Sequence, residues 1–270
     1  MNRKIKVGIV GFGHMGQALG LSLVNNKRFE ILAYDINLHK KKILDKINKV
    51  RSVTKIQTLL QSSDIVILAI KPQNFSSFFK VNQSYFLHAN PLVVSIAAGI
   101  TLKKLQAYLP KAHIVRVMPN LALSVKKSIS FICGGRYSTK RDLLLVETIF
   151  SDLGKTIFAK ESLFDKITSI SGSGPGYVFY FMDSIYKTAL DLGFSQKIAK
   201  EMIMQIFDGA VMLAKNSGKD FTVLVQEVAS KGGMTESALR VFKRHKIKET
   251  IAKGVNKACK RAKDISNKYK

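Results

Sequence analysis

The chain has 270 residues, a formal net charge of +26 and an apolar share of 46%, enough for one large or two ordinary soluble domains. Its longest apolar runs, such as 91–100, are too short to cross a bilayer, and the basic, apolar start lacks the cleavage site of a signal peptide. The two cysteines, Cys133 and Cys259, lie far apart with no Cys-x-x-Cys, so neither a zinc site nor a disulfide is expected, and a cytoplasmic protein with no bound metal is.

Residues 4–10 read as a Val- and Ile-rich strand, after which Gly11, Gly13 and Gly16 fall in the spacing G-x-G-x-x-G. Gly11 permits a tight turn, Gly13 lets a pyrophosphate approach the backbone, and Gly16 allows close packing of the helix that Met15, Leu19 and Leu23 continue. Phosphates at such a turn meet free N–H groups at the positive end of a helix, so Gly11, Phe12, Gly13, His14, Met15 and Gly16 are cofactor-binding candidates. Residues 29–34 read as a second strand ended by Asp35, an acid about twenty residues past the last glycine, where it can bond a ribose 2′-OH. Residues 37–49 read as a helix with Leu38, Ile43, Leu44 and Ile47 on its apolar face; its Lys40-Lys41-Lys42 offers a competing seat for a 2′-phosphate.

Thr54 is expected to cap a short helix through Leu60. Residues 64–70 form a nearly continuous apolar run, as in a strand covered on both faces, stopped by Lys71-Pro72. Strands follow at 91–97, 112–118, 128–133 and 155–158. Thr101 caps a helix through Tyr108, and Ser138 or Thr139 caps one through Leu153. This alternation predicts a doubly wound, mostly parallel α/β sheet of the Rossmann kind over 1–159, with ligands beyond the carboxyl ends of its strands.

Residues 160–270 read as all-helical. Leu163, Ile167 and Ile170 mark one helix, which Ser171-Gly172-Ser173-Gly174-Pro175-Gly176 interrupts. Residues 177–192 leave hardly any polar face, so burial against a partner subunit is expected. Ser195 caps a helix to about Asn216, and a shorter one covers 221–229. Ser230-Lys231-Gly232-Gly233-Met234-Thr235 is a second glycine turn, followed by basic, amphipathic helices. Lys243-Arg244-His245-Lys246 is the densest cationic patch. No nucleic-acid motif accompanies it, so the charge reads as solvated surface that draws small anions.

Gly8 to Gly16, Leu68-Ala69-Ile70-Lys71-Pro72-Gln73, Val94-Ser95-Ile96-Ala97-Ala98-Gly99-Ile100, Val115-Arg116-Val117-Met118-Pro119-Asn120, Ser171-Gly172-Ser173-Gly174-Pro175 and the 230–235 turn stand in an order that resembles pyrroline-5-carboxylate reductase. The resemblance covers essentially the whole chain. It implies reduction of a cyclic imine to L-proline with NADPH or NADH, by a homodimer built from an all-α dimerisation domain and often gathered into a decamer. It also implies that Ala69, Lys71 and Pro72 line the phosphates and ribose, and that Ala97 and Asn120 lie by the nicotinamide. Asn120 reads as well as a residue that satisfies its own turn.

Two glycines opening a helix can offer N–H groups to a carboxylate. Ser230, Gly232, Gly233 and Met234 are therefore assigned to the substrate carboxylate. Thr235 is assigned to the ring nitrogen, with Ser230 and Thr235 as the catalytic candidates; Thr235 as a simple N-cap is the alternative. Glu161 lies where the family has acids near the substrate and reads equally as a first-turn helix glutamate.

The chain departs from the family pattern at Lys231, Met234, Leu121-Ala122 and Ile56. Three other readings stay open: an NAD(P)-binding regulatory homologue without turnover, a β-hydroxyacid dehydrogenase-like enzyme, and nucleic-acid association through the basic C-terminus.

Overall fold

The computed structural model describes residues 3–37, 47 and 49–269. The helix expected over 37–49, with its three lysines, falls almost wholly outside them. The chain forms two compact units, one of Met1–Ser173 with Ala258–Lys270 and one of Gly174–Lys257. The boundary thus falls past the 159/160 division expected from composition, and the C-terminal end joins the first unit.

In the first unit, short apolar runs bounded by glycine, proline and polar residues become strands. They are β1 (Ile5–Val10), β2 (Phe29–Tyr34), β3 (Val50–Ser52), β4 (Ile65–Leu68), β5 (Leu92–Ser95), β6 (Ile114–Met118), β7 (Ser128–Gly134) and β8 (Gly154–Phe158). The sheet order is β3-β2-β1-β4-β5-β6-β7-β8. Every neighbouring pair is parallel except β6 with β7. Alternate side chains feed two cores: Val7, Ile9, Ile65, Ile67, Val115 and Val117 on one face, Val66, Leu68, Val93 and Ile114 on the other. Burial on both faces accounts for the continuous apolar runs.

The helices of this unit are α1 (His14–Leu23), α2 (Ile56–Ser62), α3 (Phe75–Ala89), α4 (Leu102–Tyr108), α5 (Lys140–Ser151) and α6 (Phe164–Ile167). Thr101 caps α4 by accepting from the Lys104 N–H at 3.2 Å, and Thr139 and Asp142 form a reciprocal capping box on α5. Thr54 caps nothing: α2 starts after Lys55, without a side-chain cap. The sequence pattern assigns no element to 73–90, yet α3 is there because Phe75, Phe79 and Phe86 bury one face and Tyr108 stacks on Phe79 at 4.6 Å. The expected interruption after Ile170 is a continuous π-helical turn, Thr168–Gly172.

The second unit holds α7 (Gly174–Asp191), α8 (Gln196–Ser217), α9 (Phe221–Val228), α10 (Met234–Arg244) and the start of α11 (Ile247–Lys268). Ser195 caps α8 as expected. Only Ala189, Ala199 and Ile203 are buried among its described residues, while Phe179 is 62% and Leu213 66% exposed. Much of the apolar surface of α7 is therefore left exposed among the described residues.

Candidate active site

The carboxyl end of β1 leads into a turn in which side chains cannot be accommodated. Gly11 takes φ +93°, and a Cβ on it would stand 2.9 Å from the Ala69 carbonyl oxygen. A Cβ on Gly16 would stand 2.1 Å from the Gly11 carbonyl oxygen and 3.4 Å from the Ala69 Cβ. These contacts draw α1 onto the strand and bring the turns after β1 and β4 together. Gly13 is the N-cap of α1; no side chain caps the helix, and its first turn holds no acid. That end presents backbone donors and a positive dipole to an anion. His14 is exposed there and Met15 half-buried.

Phe12 points its ring into the core, fully buried. Its N–H donates to Asp35 Oδ2 at 2.6 Å, and Asp35 Oδ1 accepts the Asn37 N–H at 2.8 Å. The acid at the end of β2 is thereby fixed beside the glycine turn. At the end of β4, Lys71 precedes a 3-10 turn begun by Pro72 and accepts the Asn74 N–H at 2.9 Å. Lys71 itself is exposed. Ala97 is buried in the loop after β5.

Asn120, after β6, satisfies its own turn, one of its two readings from the sequence. Its Oδ1 accepts the Ala122 N–H at 3.2 Å and its Nδ2 donates to the Ser171 carbonyl at 3.2 Å. Close by, a Cβ on Gly172 would stand 2.7 Å from the Met118 Cε. The Ser-Gly-Ser stretch thus anchors the turn after β6.

Glu161 stands in the first turn of a 3-10 helix, one of the two readings of the sequence. Its Oε1 accepts the Leu102 N–H of α4 at 2.6 Å and the Arg116 Nη1–H at 3.0 Å. The Arg116 side chain is only 3% exposed and lies over the Phe164 ring at 4.7 Å. Glu161 balances a buried cation and serves the start of α4. An arginine within an otherwise apolar strand was the sequence signal for such a partner. Burial, followed by the Glu161 charge, pushes the Cys133 thiol above its ordinary pKa.

In the second unit, Gly232 takes φ +73° and Gly233 is the N-cap of α10, with no side-chain cap. Thr235 is the second helical residue and not the N-cap. The Gly233 N–H donates to the Ser230 carbonyl at 2.9 Å, and a Cβ on Gly233 would stand 2.6 Å from Ser230 Oγ. The Gly232 N–H, assigned above to a carboxylate ligand, donates to Glu236 Oε2 at 2.7 Å. Glu236 is the residue that the glycine pattern left unassigned. Ser230, Lys231 and Met234 are exposed and Thr235 half-buried, and the Glu236 carboxylate stands in the first turn of the helix.

Among known protein families, residues 161–265 match the model described as pyrroline-5-carboxylate reductase dimerisation, and residues 6–99 match that described as NADP oxidoreductase coenzyme F420-dependent. The chain is 32% identical to pyrroline-5-carboxylate reductase of Methanosarcina acetivorans over 271 residues, covering 97% of this chain and 98% of that protein. It is 28% identical to pyrroline-5-carboxylate reductase 2 of Bacillus subtilis, over 98% and 96% of the two chains. Among solved structures, the Plasmodium falciparum pyrroline carboxylate reductase with NADP bound superposes with a TM-score of 0.88 at 28% identity, over 97% and 98% of the chains.

Proposed function

The chain belongs to the pyrroline-5-carboxylate reductase family, and from that premise we infer that it reduces 1-pyrroline-5-carboxylate to L-proline, in proline biosynthesis, at the expense of NADPH or NADH. The observation that carries the reading is the cradle at Gly11 and Gly16, where a Cβ would collide with backbone at 2.9 and 2.1 Å. With Gly13 capping an otherwise uncapped α1, these residues fit a pyrophosphate. The cofactor, when bound, supplies the hydride.

This chain's residues bind, orient and exclude water. Gly11, Gly13, His14, Met15 and Gly16 take the phosphates by backbone, while Phe12 fixes Asp35 for a ribose hydroxyl. Ala69, Lys71 and Pro72 flank them. Ala97 lies by the nicotinamide, and Asn120 holds the turn after β6. Ser230, Gly233, Met234 and Thr235 receive the substrate carboxylate on the N-terminus of α10, with the Thr235 hydroxyl orienting the ring nitrogen. Positioning of this kind carries most of the rate in hydride transfer.

The exposed apolar faces of α7 and α8 and the match to a dimerisation family support a homo-oligomer. We take the dimer as its unit, and mass measurement reads whether dimers gather into a decamer. No helix among the described residues is long and apolar enough to cross a membrane, and a reducing cytoplasm suits the free Cys133 and Cys259.

A steady-state assay with the imine, run in parallel with NADPH and NADH, tests the activity. Thr235→Ala should lower turnover by an order of magnitude or more while nucleotide affinity stays near that of the parent. Full turnover in that variant would remove Thr235 from the chemistry.

A further inference from the structure

The first unit contains a cavity of about 580 Å³ whose eight lining residues are all polar. Its walls carry two cations, Arg116 and Lys263, and two carboxylates, Glu161 and Asp165. Arg116 gives one nitrogen to Glu161, but its Nη2 is buried with no hydrogen-bond partner among the described residues. A buried donor left unpaired is costly, so an acceptor from outside the chain is favoured there. Asp165 accepts the Ser266 hydroxyl on Oδ1 at 2.7 Å, while Lys263 forms no ion pair among the described residues. Ser162 and Asn267 add neutral polar groups to the wall.

Charge balance selects the occupant. A pure anion placed here faces Glu161 and Asp165, and a pure cation faces Arg116 and Lys263. A molecule carrying both charges meets a partner at each end. We propose that this cavity binds a small zwitterion, an amino or imino acid, with its carboxylate toward Arg116 and Lys263 and its ammonium toward Asp165. The wall is continuous with the loop after β5: Glu161 holds the Leu102 N–H, and a Cβ on Gly99 would stand 2.6 Å from the Ile265 Cγ2. The inference rests on this cavity alone and goes beyond the reductase reading.

Three probes of similar size separate the charge types: glycine, glycolate and ethanolamine, titrated by calorimetry into the full-length protein. Glycine is expected to bind at least tenfold more tightly than either of the others. Lys263→Met should weaken glycine at least tenfold with no change in thermal midpoint, and Lys260→Met on the same helix should leave it unchanged. Lys263→Gln serves as the second variant should Lys263→Met fail to fold. Repeating the titration on Thr235→Ala distinguishes this cavity from the reductase site: glycine affinity should be unchanged. The proposal is overturned by glycolate binding as tightly as glycine, by no probe binding (a water-filled cavity), by unchanged glycine affinity in the Lys263 variants, or by a tenfold loss of glycine affinity in Thr235→Ala.

Discussion

Removing Glu161 separates a structural role from a substrate-binding one. Its carboxylate holds both the Arg116 guanidinium at 3.0 Å and the Leu102 N–H at 2.6 Å. The Arg116 side chain is 3% exposed and that of Glu161 31%, so in Glu161→Ala the cation cannot turn to bulk water. Breaking a buried pair from one side costs roughly 3–5 kcal/mol, and the partial exposure of Glu161 places the expected loss near the lower end, about 3 kcal/mol. For a chain of this size that is a fall of about 6–12 °C in thermal midpoint, measured at one fixed protein concentration because assembly contributes to stability. Glu161→Gln keeps an acceptor for Leu102 and loses only the charge, so it should cost roughly 1–2 kcal/mol. In both variants the KM for the imine should stay within about twofold of the parent, since one pair exchange in a structural contact removes no substrate contact. A normal midpoint combined with a tenfold rise in KM would refute this reasoning and return Glu161 to the substrate.

Gly16→Ala places a Cβ 2.1 Å from the Gly11 carbonyl; it should destabilise by about 1–3 kcal/mol and weaken NADPH at least tenfold in a fluorescence titration, and parental affinity would exclude the cradle assignment. Asp142 is partly buried, which alone would raise its pKa, but the Thr139 N–H and the His113 and Thr139 side chains hold the carboxyl below its ordinary value. A lowered folded-state pKa stabilises above the unfolded value and is lost on acidification. Asp142→Ala should therefore cost about 1 kcal/mol at neutral pH, with the gap to the parent closing below about pH 4 in denaturant titrations; a gap independent of pH would contradict the pairing. Phe179→Glu, on a side chain 62% exposed in the single chain, should shift light-scattering mass from oligomer toward monomer. An unchanged mass would place the interface elsewhere.

Much of the first unit was legible because its determinants are local. Runs such as Ile65-Val66-Ile67-Leu68 can be continuous only when both sheet faces are covered, and Thr101, Thr139 and Ser195 cap within their own turns. The three-residue strand β3 (Val50–Ser52) and helix α3 (Phe75–Ala89) were not legible. The first is too short to show a period. The second mixes phenylalanines with serine, asparagine and glutamine, and its helicity depends on Tyr108 and the sheet beneath it.

The glycine spacing, Asp35 and the order of the motifs determined the cofactor class and the family, because a backbone that must approach phosphates tolerates few residue types. Tertiary structure decided what the polar side chains do. Asn120 reaches across 51 positions to the Ser171 carbonyl, and Glu161 across 45 and 59 to Arg116 and Leu102. Ser266 returns across 101 positions to Asp165. A buried hydrogen-bonding group takes whichever partner the fold brings within about 3 Å, and sequence separation does not record that distance.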